Sequence, residues 1–256
     1  MDTLLSLVSP GALVFSLALA ALAGMVKGMV GFAMPMIMIS GLGSVLPPDL
    51  ALAGLILPTL FSNAMQAFRQ GPRAALGSLK RFRLLLGVGL VFLLLSSQLV
   101  RIMPVSVMLA LIGGPVALFC LMQLAGWRPH LRNGPAAPIE AGVGVVAGFM
   151  GGMSGVWGPP FVAYLTAIDT EKREQIRVQG VAYGLGAVAL TVAHVFSGVL
   201  NAQTVWFSLA LLVPAVLATW AGTLVQDRID QALFRKLTLF VLLIAALNLL
   251  RRAFFA

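Results

Sequence analysis

Between Asp2 and Arg69 only Lys27 and Asp49 carry a charge. Few folds are open to a chain that strings such uncharged runs together. About 20 mostly apolar residues in a helix span the hydrocarbon core of a bilayer. In lipid the backbone must also satisfy its own hydrogen bonds, which a helix does within one segment. The runs recur, at 11–26, 28–44, 50–68, 84–100 and 105–126. A polar, Pro- and Gly-rich link follows at 127–138, and then segments at 139–154, 157–168, 177–197, 204–225 and 236–251. Hydrophobic residues make up 60% of the chain and charged ones 10%, where a soluble domain has about a quarter charged. The chain reads as an all-α polytopic membrane protein.

The net charge of +9 would suggest nucleic acid in a soluble protein. Here the basic residues stand in short loops between apolar runs, where they set topology and meet anionic lipid headgroups. Lipids are the expected partner and nucleic acid is not. The single cysteine, Cys120, allows no disulfide within one chain, and with two histidines it builds no metal site. No phosphate-binding GxxxxGK[ST] stretch is present, and no nucleophile–base pair stands out. An enzyme is not expected, nor is a cofactor. Asp2 opens the chain without a basic n-region, so no cleaved signal peptide is expected.

The two halves resemble each other. Laid against Ala147–Pro159, the stretch Ala23–Pro35 matches at Ala23, Gly24, Gly28, Met29, Gly31 and Pro35. Each half counts five elements, or three crossings if the first two are re-entrant, and an odd count inverts the second half. Basic residues support this. Arg69, Arg73, Lys80, Arg81, Arg83, Arg128, Arg132, Lys172, Arg173, Arg177, Arg228, Arg235 and Lys236 fall on one side, and only Arg101, Arg251 and Arg252 on the other. By the positive-inside rule the first side is cytoplasmic and both termini lie outside. The expected organisation is repeat 1 over 1–126, a cytoplasmic linker over 127–138, and repeat 2 over 139–256. Each repeat is a glycine-rich broken or re-entrant helix pair (11–44, 139–168) followed by three transmembrane helices. Those helices are 50–68, 84–100 and 105–126 in repeat 1, and 177–197, 204–225 and 236–251 in repeat 2. Proline stops helices and glycine permits reversal, so the hairpin tips are expected near Lys27–Gly31 and Gly151–Gly155.

Inverted repeats with interrupted helices place a transporter's site near the midplane. Lys27, with Gly28 and Gly31, is then a fixed positive charge beside open backbone N–H groups, a combination that binds anions. The alternative is a lysine snorkelling at the boundary. Gly152, Ser154, Gly155 and Trp157 occupy the matching tip, either as oxyanion donors or as a small-residue packing face. Thr59, Asn63, Gln66 and Gln70 share one helix face, as do Gln175, Gln179 and Tyr183. Asn63, Gln66, Gln179 and Tyr183 are candidate substrate contacts, with plain interhelical hydrogen bonding as the alternative. All eight acidic residues fall in loops or at segment edges, so coupling through a midplane carboxylate is not expected.

The duplicated blocks "GMVKGMVGFAMPMIMI" and "GFMGGMSGVWGPPFVAYL" resemble the TauE/SafE family, sulfite exporters and toluene-sulfonate uptake permeases. So does the stretch 221–250, and the likeness covers nearly the whole chain. The resemblance implies transport of sulfur-containing anions such as sulfite, sulfoacetate and other organosulfonates. The expectation is a multi-pass inner-membrane transporter, an exporter by preference, working by alternating access with its site between the hairpin tips. Alternatives are a non-transporting scaffold or maturation subunit, or an importer of another small organic anion. Small-residue faces leave a homodimer open.

Overall fold

The computed structural model describes residues 7–97, 104–126, 137–154 and 158–255. Among these residues the chain is all-helical. The helices are α1 (Pro10–Val30), α2 (Met34–Leu42), α3 (Pro48–Phe68), α4 (Pro72–Arg81), α5 (Arg83–Ser97), α6 (Val105–Leu124), α7 (Ala137–Ser154), α8 (Gly158–Ala167), α9 (Lys172–Phe196), α10 (Thr204–Arg228) and α11 (Gln231–Phe255). Five are long and apolar enough to cross a membrane: α1, α3, α9, α10, and α11 over Gln231–Phe254. The chain divides into two compact units, Met1–Ala75 with Ile176–Asp230 and Leu76–Gln175 with Gln231–Ala256. Each unit therefore takes helices from both halves of the sequence.

In the first unit, local chemistry fixes where α1 begins and ends. The Ser9 hydroxyl oxygen accepts from the Ala12 N–H at 3.3 Å, and Pro10 opens the helix. Both are standard helix starts. The helix ends at Gly31, whose φ of 92° is a left-handed conformation that glycine adopts without steric cost. Its N–H closes the last turn on the Lys27 carbonyl at 2.7 Å. The break thus falls at 31–33, beginning at the last residue of the expected tip Lys27–Gly31. Ala33 also has a positive φ, 77°, rare for a residue with a Cβ.

After the break the chain doubles back. A Cβ on Gly41 of α2 would strike the Leu19 side chain of α1, and one on Gly54 of α3 would meet Leu42 at 3.3 Å. Met34, Met38 and Leu42 of α2 are fully buried, in one core with Ala20 and Ala23 of α1, Leu50 and Leu55 of α3, and Phe207, Leu211 and Ala215 of α10. α1 and α10 run parallel with backbones in contact. Gly24 faces Ala215, and Gly28 faces Thr219 and Gly222, so closely that a Cβ on Gly28 would lie 2.8 Å from the Gly222 Cα. Gly24 and Gly28 form the GxxxG pattern that lets membrane helices approach. The opposite side of α10 carries Val213 and Leu217, more than half exposed and one turn apart, as a lipid-facing stripe would be.

The second unit repeats this packing. Gly144 and Gly148 form another GxxxG pair, now on α7 against α5. A Cβ on Gly144 would lie 3.1 Å from the Val88 Cβ, and one on Gly148 would lie 2.9 Å from the Gly89 Cα. α6 packs on α11 through Gly113, which abuts Ala246 and Leu250. Arg235 of α11 donates to Gln123 at 2.6 Å and to Asp169 at 3.0 Å. Helix α4 falls in a stretch expected to be a loop. Leu76 and Leu79 are exposed beside Lys80 and Arg81, the make-up of a helix that lies along an interface.

Candidate functional site

The site grows out of the end of α1, within the first unit. Lys27 stands in the last turn of α1, with 1% of its surface exposed. Its neighbour Gly28 packs on α10 between Thr219 and Gly222, which stand nine and six positions before Arg228 at the helix end. At 1.5 Å per residue that is about 9–13 Å, inside a helix of 25 residues. This depth counts against snorkelling, which needs the ammonium to reach water.

Lys27 Nζ donates to Asn63 Oδ1 on α3. The Lys27 carbonyl also accepts from Gln66 Nε2 at 3.0 Å. The amide face of α3 therefore grips this turn by side chain and by backbone. No carboxylate pairs with Lys27 among the described residues. What the charge does meet is the partly negative carbonyl end of α1. The sequence placed the lysine beside open N–H groups. The structure places it one turn before the break, at the carbonyl end, with the uncapped start of α2 beyond.

Helix α9 supplies the third side. Gly180 meets α3 at Gln66 and Ala67 so closely that a Cβ would lie 2.8 Å from the Gln66 Cβ. That contact brings Gln179 onto the tip, where its amide occupies the space a Cβ on Gly31 would need. Tyr183 follows one turn along α9, also buried. Gln179 is fully buried, and Asn63 and Gln66 are 1% exposed. Even so, Thr59 Oγ1, Asn63 Nδ2, Gln66 Oε1 and both amide atoms of Gln179 lack a hydrogen-bond partner. Buried polar groups are ordinarily satisfied, and each orphan costs about 1–3 kcal/mol. Thr59 Oγ1, Asn63 Nδ2 and Gln179 Nε2 are thus open donors near an ammonium that has no carboxylate, a set that can hydrogen-bond an anion.

Of the residues singled out from sequence, Lys27, Gly31, Asn63, Gln66 and Gln179 come together here. The backbone at Gly28 is taken up by packing on α10. Gly152 and Ser154 close α7, where only the backbone is described, and Gly155 and Trp157 lie outside the described residues. Two further features were not singled out. Arg69, at the end of α3, pairs with Asp227 of α10. In the second unit, Glu140 stands in the first turn of α7, an edge as expected, yet it is 7% exposed and accepts from the Tyr164 hydroxyl at 3.4 Å. No group of three or more potential metal ligands occurs among the described residues.

The family model described as sulfite exporter TauE/SafE matches residues 16–249. Among curated proteins and among solved structures, no match to the chain is found.

Proposed function

The chain belongs to the TauE/SafE family of sulfite exporters, and from that premise we propose that it exports small sulfur oxyanions, with Lys27 as their binding charge. It is an integral multi-pass membrane protein of a transporter family. Sulfite, sulfoacetate and other organosulfonates carry several oxygen acceptors and one or two negative charges. An ammonium and amide N–H donors answer that chemistry with charge-assisted bonds. One observation carries the reading: Lys27 is buried without a carboxylate, beside two buried amide donors with no partner, Asn63 Nδ2 and Gln179 Nε2. A lysine at the bilayer centre costs about 2.5–3.5 kcal/mol on insertion scales, and an anionic substrate would offset that cost while bound.

The mechanism proposed is alternating access between two inverted repeats in the inner membrane. Two features support it. α2 returns along α1, as the second limb of a re-entrant hairpin would. The α1–α10 glycine contact also recurs as the α7–α5 contact, joining the same positions of the two sequence repeats. Export needs no coupling ion. With the inside 100 mV negative, a monoanion gains about 2.3 kcal/mol on leaving.

Purified protein in vesicles, supplied in turn with labelled sulfite, sulfoacetate and taurine, tests this reading. Flux of at least one sulfur anion is expected, with a loss of tenfold or more in Lys27→Ala, since a charged hydrogen bond nets about 1.5–3 kcal/mol. Absence of flux for all three would leave the scaffold alternative standing.

A further inference from the structure

Next to Gln66 the junction of α3 and α10 opens into a pocket of about 180 Å³. Met65, Gln66 and Arg69 line one wall, and Trp220, Thr223 and Leu224 line the other. Gln66 and Arg69 are three residues apart and so share a face, with Arg69 about one turn nearer the helix end. Gln66 belongs to both places. Its Nε2 donates to the Lys27 carbonyl, and its Oε1 is buried without a partner. At the other end Arg69 donates to Gln226 Oε1 at 3.0 Å and to the Asp227 carboxylate. Both side chains of that ion pair are 29% exposed. Partly exposed ion pairs of this kind are weak.

We propose that this pocket is the antechamber of the Lys27 site, where Arg69 takes up the oxyanion by exchanging Asp227 for it. The proposal rests on the transport reading above and adds to it a second anion-binding residue and a route. A guanidinium presents a flat fork of donors that matches a sulfonate or sulfite edge-on. The volume is about tenfold what a single water needs, enough for a small sulfonate. Asp227 holds Arg69 in place between visits and disfavours anions too weak to displace it. From Arg69 the anion passes Gln66, whose Nε2 now holds the Lys27 carbonyl and turns from it to donate to the passing anion.

Two substitutions that break the same ion pair separate this idea from a structural strap. If Arg69 and Asp227 only tie α3 to α10, Arg69→Gln and Asp227→Asn act in the same direction. If Arg69 captures the anion, they act in opposite directions. The measurement is labelled sulfite flux in oriented vesicles with the membrane potential collapsed and the anion presented on the Arg69 face. Arg69→Gln is expected to raise KM about tenfold or more, the effect of losing a charge-assisted bond. Asp227→Asn is expected to lower KM, and Arg69→Lys to fall between Arg69→Gln and the wild type. With the anion on the opposite face, Arg69→Gln should leave KM within about twofold and lower Vmax instead. The two directions share one equilibrium, so Vmax/KM must fall equally in both.

A second readout does not need transport. Trp220 fluorescence, taken as the difference between the protein and its Trp220→Phe variant, should change saturably with sulfoacetate and lose that response in Arg69→Gln. Flux in the wild type with KM shifts of the same sign, or none, in Arg69→Gln and Asp227→Asn overturns the antechamber and leaves the transport reading intact. No wild-type flux together with a Trp220 response fails the transport reading and keeps the anion pocket. The absence of both overturns both.

Discussion

Four side chains carry the binding reading, and they are not equal. Lys27 supplies full charge, whereas Asn63, Gln66 and Gln179 supply neutral amides. A neutral hydrogen bond nets about 0.5–1.5 kcal/mol. Asn63→Ala and Gln179→Leu are therefore each expected to raise the half-saturating anion concentration about 2–10-fold, as read from initial flux rates. Unchanged half-saturation in Gln179→Leu would remove that residue from the site. This group was legible in the sequence because a lone charge and spaced amides stand out in apolar runs, and because helical spacing fixes their face. Arg69 was not. A cation at a segment edge reads as a topology marker, and its partner Asp227 lies 158 positions away. The orphaned atoms were equally invisible, since a sequence shows which amides are present and not which find partners.

At the scale of elements, glycine does two separate jobs in the α1–α2 hairpin. Gly28 lets α10 approach, and Gly31 turns the chain. A methyl group at Gly28 meets backbone that cannot yield, and such overpacking costs about 1–3 kcal/mol. Gly31→Ala faces a left-handed backbone penalty of about 1–2 kcal/mol and a collision with the Gln179 amide. Both variants are expected to melt below the wild type in detergent. Gly11→Ala, where a Cβ meets nothing within 4 Å, is expected to melt with it. Equal melting of Gly28→Ala and Gly11→Ala would contradict the close α1–α10 contact. The paired glycine blocks put the reversal at Lys27–Gly31, and the chain turns from the last of these residues on to Ala33. Gly28 looks like a breaker until α10, nearly 200 residues later, is seen to need it. Helix α4 was missed for a related reason. Its charges read as loop, and only the folded helix gathers Leu76 and Leu79 beside Lys80 and Arg81.

The whole chain poses a question of sidedness. On the proposed inverted topology, the positive-inside rule sets the loop holding Lys80 inside and alternation sets the turns at Val45 and Ala202 outside. All three positions are exposed. Single cysteines at 45, 80 and 202, in a Cys120→Ser background, are expected to divide with an impermeant thiol reagent on intact cells. Positions 45 and 202 should label, and 80 should not. Labelling at 80 alone would reverse the topology, while labelling at only one of 45 and 202 would break the parallel course of α1 and α10. The assignment of helices to the two compact units was not legible in the sequence. The chain order groups α1 with α5, whereas the contacts group α1 with α10 and α5 with α7.

The central claim is that a buried Lys27 with no carboxylate partner binds the transported anion, and equilibrium binding of labelled sulfite to the purified protein tests it most directly. Lys27→Met keeps the bulk of the side chain and removes its charge. Binding should therefore weaken by tenfold or more, the effect of losing about 1.5–3 kcal/mol. The melting temperature should hold or rise, because a costly buried charge is gone. Wild-type affinity in Lys27→Met would contradict the account.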